Sequence, residues 1–356
     1  VRDCVVGFGE LGRADVPRAG GKGASLGELT RAGIPVPPGC VVTTDAFELV
    51  LSTVDPGGRI RSAVEALDAD DRDAIARAAA DIRAQIATAP LPGPIRDAIV
   101  RGYRALDGES DTPGGPAPVA VRSSATGEDG ADASFAGLQD TYLWIRGEDE
   151  VCDAVRRCWA SLYSVESLTY RRRLHLPEQG LAMAVVIQRM VDARCAGVMF
   201  TRGPLTGDRS VIVLEAGWGL GSALVGGAVT PDRYVVNKVT GEILSRAVAR
   251  KLRQHRMDPS GTGVREEDVP PDLQDKPCLD DEEIRALARS GRQIEQHYGC
   301  PQDIEWAIAR NLPPGAGIFL LQSRPETVWA TKEKAPVAKP KARAFDHVLS
   351  RLGGAQ

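Results

Sequence analysis

Residues 120–145 read AVRSSATGEDGADASFAGLQDTYLWI. An apolar run ending at Val121 passes straight into Arg122, Ser123 and Ser124. Small and acidic residues follow, and Thr141–Ile145 then returns as a second β-rich run. Strand, small-residue loop, strand, with one cation at the root of the loop, suits closure over an anionic ligand. Arginine at a strand end can fork onto phosphate oxygens, and a loop poor in apolar anchors opens easily without its ligand. In isolation a surface ion pair is the better reading of the same arginine, so the rest of the chain must decide.

The glycines elsewhere raise the same question. Residues 20–39, GGKGASLGELTRAGIPVPPG, predict a helix over Ala24–Ala32, stopped by Gly33 and followed by an extended, proline-rich exit. Gly20, Gly21 and Gly23 around Lys22 do not form a Walker A loop, because a glycine rather than Ser or Thr follows the lysine. Backbone amides and the helix start could still face an anion; a plain helix-entry turn with an exposed lysine is the simpler reading. A third glycine-rich turn, GWGLGS (217–222), follows an apolar strand and could serve only as a bend.

The C-terminal hairpin is more informative. DIEWAIAR and IFLLQSRP flank NLPPGAG, and alternation along a strand puts Ile304, Trp306 and Ile308 on one face and Glu305 on the other. Gln322 and Arg324 share a face of the partner strand. A carboxylate, an amide oxygen and a guanidinium could converge there, a donor set suited to Mg²⁺ and the phosphates it bridges. A plain salt bridge between Glu305 and Arg324 is the alternative.

Between these segments the pattern alternates. Residues 45–106 read as several helices, DTPGGPAP (111–118) as a breaking loop, Val119–Val121 as a strand, and 148–173 as helix with Val151, Val155, Trp159, Leu162 and Val165 on one face. Short β-rich runs follow at 181–191, 195–201 and 210–216, then a hairpin over 232–248 turning at Thr240–Gly241, and a helix over 279–299 with an acidic first turn. The Lys-, Ala- and Pro-rich segment 331–344 reads as a solvated linker.

Composition narrows the partners. The chain has 356 residues, 43% hydrophobic and 26% charged, and a net charge of -4, so no basic field points to nucleic acid. No apolar run reaches membrane-spanning length and no secretory leader is read. Seven scattered cysteines without a Cys-x-x-Cys spacing fit reduced thiols and a cytoplasmic location.

Taken together, GGKGASLGEL, RAGIPVPPGCVVTTDAF, VAVRSSATGEDGADASFAGLQDTYL, CWASLYS, GVMFT, VTPDRY, DIEWAI and FLLQSRPET resemble the nucleotide-binding domain of the phosphoenolpyruvate synthase and pyruvate phosphate dikinase family. Rifampicin phosphotransferase belongs to the same group. The resemblance runs from residue 17 to about 330, with its blocks in family order. It implies an α+β, ATP-grasp fold with ATP held between two sub-domains. These are expected over 1–180, with a helical insertion at 45–106 and a mobile phosphate loop at 122–137, and over 181–330, followed by a flexible tail at 331–356. By resemblance, Lys22, Arg122 and Arg324 are the catalytic, phosphate-binding cations. Gly137 and Thr141 belong to the mobile loop and the strand behind it, Gln188 to the adenine side, and Glu305 and Gln322 to the Mg²⁺ ion.

One departure matters. The family carries a swivelling domain whose histidine accepts a phosphoryl group, and none of His175, His255, His297 and His347 lies in such a block. The layout resembles the small ATP-binding subunit of phenylphosphate synthase. It implies cleavage of ATP to AMP and phosphate, with the β-phosphoryl passed to a histidine on a partner subunit and then to a small molecule such as a phenol or other alcohol. An N-terminal domain excised from a one-chain synthase or antibiotic phosphotransferase, and an ATP-sensing module without catalysis, are the alternatives.

Overall fold

The computed structural model describes residues 4–106, 117–126, 140–310, 312 and 317–329. Residues up to Pro325 form one compact unit and Glu326 onward a second. In the second unit, the Trp329 backbone N–H donates to Glu326 Oε1 (2.7 Å).

The first half of the chain runs β1 (Val5–Gly7), α1 (Val16–Arg31), β2 (Gly39–Val42), then four helices, α2 (Thr44–Val54), α3 (Arg59–Glu65), α4 (Arg72–Thr88) and α5 (Gly93–Arg104). β3 (Val119–Ala125), β4 (Thr141–Ile145), α6 (Glu148–Ser161), α7 (Val165–Arg173) and β5 (Met183–Arg189) follow. The five strands form an antiparallel sheet in the order β1-β2-β5-β3-β4. Val119, Val121, Val185 and Ile187 point from one face into a core shared with the helices, where Trp159 and Phe47 meet with ring centroids 6.2 Å apart. The other face carries Ala184 and Val186, which pack with Ala19 and Leu26 of α1.

The second half runs β6 (Ala193–Phe200), β7 (Val211–Trp218), α8 (Ser222–Val225), β8 (Asp232–Asn237), β9 (Ile243–Ala247), β10 (Arg253–Met257), β11 (Val264–Asp268), α9 (Asp281–Tyr298), β12 (Gln302–Ala309) and β13 (Ile318–Pro325). Six of these strands form an antiparallel sheet in the order β13-β12-β6-β7-β8-β9. Ile304, Trp306, Ile308 and Leu320 leave one face for a core with Ile284, Leu287 and Ile294 of α9. That helix is started by a reciprocal Asp280–Glu283 capping box and stopped by Gly299 in the left-handed conformation. β10 and β11 form a separate hairpin whose turn reaches the first sheet: the Gly263 N–H donates to the Trp144 carbonyl (3.0 Å). Antiparallel sheets packed against helices make this an α+β fold, as the sequence resemblance implied.

Several local expectations change. The helix expected from Ala24 begins at Val16 and kinks at Gly20, whose φ of 67° and ψ of 174° are open essentially to glycine alone. The kink lets Ser124 serve both halves: its hydroxyl donates to Ala19 O (2.9 Å) and accepts from Gly23 N–H (3.1 Å). The single helix read over 148–173 is two. Ser164 caps a new helix by accepting from Ser167 N–H, which takes Val165 off the apolar face and leaves it 37% exposed. A boundary at residue 180 would put β5 in the second sub-domain, yet β5 is the central strand of the first sheet. The chain changes sheets between Arg189 and Ala193, because β5 supplies the hydrogen bonds that β2 and β3 lack on one side. All seven cysteines are free thiols; burial pushes the Cys40 thiol up to about 12. Among the described residues no helix is long and apolar enough to cross a membrane.

Candidate functional site

The two sheets enclose a cavity of about 280 Å³. One wall comes from the first sheet. Arg122 pairs with Thr141 across β3 and β4, and Ala120 pairs with Gln188 across β3 and β5. Alternation therefore turns Ala120, Arg122, Thr141 and Gln188 to the same side, and all four line the cavity. The floor comes from the second sheet: Glu305 and Ala307 on β12, Ala193, Ala196 and Gly197 on β6. Small floor residues leave flat space above the strands. Met190 and Val191, in the crossing between the sheets, add an apolar end, and Leu220, Gly221 and Ser222 close the side.

The polar end is built on Arg122. Its Nη2 donates to Gln322 Oε1 (2.6 Å) and to Glu305 Oε2 (3.0 Å), and its Nη1 donates to the Leu321 carbonyl (3.0 Å). Glu305 and Gln322 face one another directly in the β12–β13 register, with an irregularity immediately after Glu305. A carboxylate and an amide oxygen thus converge on one cation from two strands. The Arg122 side chain is only 11% exposed. A guanidinium in this position is a stand-in showing that the pair can hold positive charge; the oxygen donor set suits a hard divalent ion. Among the described residues no group of three or more His, Cys, Asp or Glu forms a metal cluster, so such an ion needs further oxygens from a ligand.

The other expected residues fall at graded distances from this centre. Lys22, in the first turn after the Gly20 kink, donates from Nζ to the Ser123 carbonyl (3.0 Å), beside Arg122. Gln188 is buried, and its Nε2 lies 3.5 Å from the Pro37 carbonyl. Arg324 shares the Gln322 face but pairs with Asp303, its cross-strand neighbour (3.7 Å), not with Glu305. The alternative Glu305–Arg324 ion pair therefore does not form; Arg122 holds Glu305 in its place. Gly137 and most of the 122–137 loop lie outside the described residues.

The strand ends at Ser123 and Asp140 are braced. Asp140 O accepts from Ser123 N–H (3.3 Å) and Ser123 Oγ (3.2 Å), and Asp140 Oδ2 accepts from the Tyr142 hydroxyl (2.8 Å). Burial, followed by the Asp140 hydrogen bond and charge, pushes the Tyr142 phenol well above its ordinary value. Arg157 stacks over the Tyr142 ring at 4.2 Å.

Two further groups escaped the sequence reading. α1 is latched to α9 by Glu28, whose Oε1 lies 2.7 Å from His297 Nε2; Arg13, just before α1, donates from Nη2 to the His297 carbonyl (2.6 Å), and Ser25 Oγ of α1 donates to the Ser323 carbonyl of β13 (2.7 Å). Burial opposes ionisation of Glu28, but the His297 hydrogen bond, the Arg13 N–H and the charges of Arg13 and His297 together hold its carboxyl below the ordinary 4.5. The second group is Ser222 with His255, whose Nδ1 lies 2.9 Å from Ser222 Oγ. Ser222 ends the glycine-rich turn read as a bend, and His255 comes from a hairpin with no strong apolar alternation to announce it.

The family described as "Pyruvate phosphate dikinase, AMP/ATP-binding domain" matches residues 16–344. A probable phosphoenolpyruvate synthase of Methanothermobacter thermautotrophicus is 46% identical over 323 residues, covering 90% of this chain and 45% of that protein. The phosphoenolpyruvate synthase of Aeropyrum pernix is 41% identical over 364 residues, 95% of this chain and 44% of the relative. A Streptomyces rifampicin phosphotransferase is 41% identical over 325 residues, 91% of this chain and 36% of its own length. The chain spans less than half the length of these relatives. It belongs to the pyruvate phosphate dikinase AMP/ATP-binding domain family.

Proposed function

We propose that this chain binds ATP with Mg²⁺ in the cavity between the sheets and delivers the β-phosphoryl group to a histidine on a separate swivelling domain, releasing AMP, while water takes the γ-phosphoryl group as inorganic phosphate. The observation that supports it most directly is the convergence of Arg122, Glu305 and Gln322 at the polar end of a cavity whose other end is apolar. In this reading the adenine lies toward Gln188, Met190 and Val191, and the phosphates toward Arg122, Lys22 and Arg324. Glu305 and Gln322 would hold a divalent cation, which would offset the phosphate charge. Glu305 and Gln322 must first be released by Arg122, which then turns its donors to the phosphates. Loading is thus an exchange of partners: the cation moves off the acid as the anion arrives. Thr141 braces the Arg122 strand, and Lys22 and Arg324 stabilise charge on the transferred group.

The acceptor histidine is proposed to come from outside the described unit. His297 is engaged with Glu28, His255 with Ser222, and His175 Nδ1 lies 2.9 Å from the Arg172 carbonyl. A partner subunit with the swivelling domain, as in phenylphosphate synthase, is one arrangement, with a phenol or other alcohol as final acceptor. A one-chain arrangement is the alternative, and the same site chemistry serves both.

Incubation with ATP labelled at the β-phosphate and a protein carrying the swivelling domain tests the reading. Acid-labile label on a histidine of that domain, with AMP released, is the expected result. Label on a histidine of this chain, or ATP bound without any transfer, would contradict it; the latter outcome is that of an ATP-sensing module.

A further inference from the structure

The glycine-rich turn after β7 does more than bend. Gly219 has φ +73°, and a Cβ there would lie 2.4 Å from the His255 carbonyl oxygen, so only glycine lets β10 approach this closely. The His255 carbonyl accepts the Leu220 N–H (2.9 Å), and the Gly219 N–H donates to the Arg194 carbonyl (3.0 Å). The turn is therefore pinned from both sides, and Ser222 is held at the cavity wall with its hydroxyl against His255 Nδ1.

The level of Ser222 along the cavity follows from the strand register. Glu305 marks the phosphate end. Ala307, two residues on and about 7 Å further along the strand, pairs with Ala196, and Ala309 pairs with Ala193 at the base end. A Cβ on Gly221 would stand 3.7 Å from the Ala196 side chain, so Gly221 and Ser222 sit over the middle of the floor. A nucleotide with phosphates at Arg122 and its base against Met190 and Val191 puts its sugar there.

The hydrogen-bond sense is set by His255. We take the tautomer with the proton on Nε2, the nitrogen 4.0 Å from Glu266 Oε2, in which Nδ1 is the acceptor. The Ser222 hydroxyl then donates to His255 and presents its oxygen lone pairs to the cavity. An acceptor at this level suits a sugar hydroxyl, which can donate to it.

Resting on the nucleotide reading above, we infer that Ser222 is the sugar-reading residue of the site, selecting ribonucleotides by accepting a hydrogen bond from a ribose hydroxyl, with His255 as its positioning residue. The test is calorimetric binding of ATP and 2′,3′-dideoxy-ATP. The unmodified protein should prefer ATP by roughly 2- to 12-fold, the range of one neutral hydrogen bond. Ser222→Ala should lose the preference through weaker ATP binding alone, Ser222→Thr should retain it, and His255→Phe should reduce it; the 2′- and 3′-deoxy nucleotides identify the hydroxyl. Equal binding of both nucleotides by the unmodified protein, or full preference in Ser222→Ala, overturns the sugar assignment. Full preference in His255→Phe overturns the positioning role. Failure of the unmodified protein to bind ATP at all is a different outcome and defeats the nucleotide reading with it.

Discussion

Replacing Arg122 by alanine should make the nucleotide-free protein bind a divalent cation better. Arg122 now occupies both Glu305 and Gln322, at 3.0 and 2.6 Å, so a metal ion must displace a guanidinium to reach either oxygen. A hydrogen bond to a charged group contributes about 1.5–3 kcal/mol. Glu305 is 34% exposed, and solvent screening favours the lower part of that range. At about 1.4 kcal/mol per decade, relief of this competition corresponds to roughly 10- to 30-fold tighter metal binding. Mn²⁺ titration followed by electron paramagnetic resonance reads the affinity directly, without turnover. The gain should vanish when Glu305→Gln is added to Arg122→Ala, which separates this site from weak acidic sites elsewhere. The same variant should lose affinity for ATP more than for AMP, since it removes a phosphate ligand. Unchanged or weaker Mn²⁺ binding in Arg122→Ala, or a gain that survives the second substitution, would refute the exchange of partners.

Three further outcomes are expected. Glu305→Gln keeps the side-chain shape but removes its charge, and should lower AMP formation about 100-fold or more with a smaller loss of ATP affinity; unimpaired turnover at saturating Mg²⁺ would remove Glu305 from the metal site. Gly20→Ala forces a side chain into a conformation costing about 1–3 kcal/mol and within 2.1 Å of the Ser124 carbonyl oxygen. With the two displaced Ser124 hydrogen bonds at about 1 kcal/mol each, denaturant unfolding should show a loss of about 3–5 kcal/mol, and a loss under about 1 kcal/mol would contradict the packing argument. The α1–α9 latch should be pH-dependent: because Glu28 is depressed in the folded state, its contribution is complete above 4.5 and fades as pH falls through the lower folded value. Hydrogen exchange in residues 24–31 should therefore quicken in acid in the native protein, relative to Glu28→Gln; identical acid profiles would exclude the latch.

Local chemistry made much of this molecule legible in one dimension. Alternation in DIEWAIAR placed Glu305 opposite the apolar face of β12, and an acidic first turn marked the start of the helix over 279–299. The Gln322 spacing made its convergence with Glu305 a real possibility. These signals lie within a few residues of one another, and backbone geometry alone carries them. Tertiary structure decided what depends on distant partners. Strand β5 follows the helices in sequence yet completes the first sheet, because unpaired backbone groups on β2 and β3 require it. The helix at Val16 needs Ser124, about a hundred residues away, to bridge its kink. Arg122, not Arg324, neutralises Glu305, since only the packing of one sheet against the other brings β3 to β12. Ser222 and His255 carry no pattern that singles them out; a glycine that permits close approach makes them neighbours. Hydrogen bonds and charges act over a few ångströms in space whatever their separation along the chain, so the sequence determined the residues available for the site and the packing of the two sheets determined which of them meet.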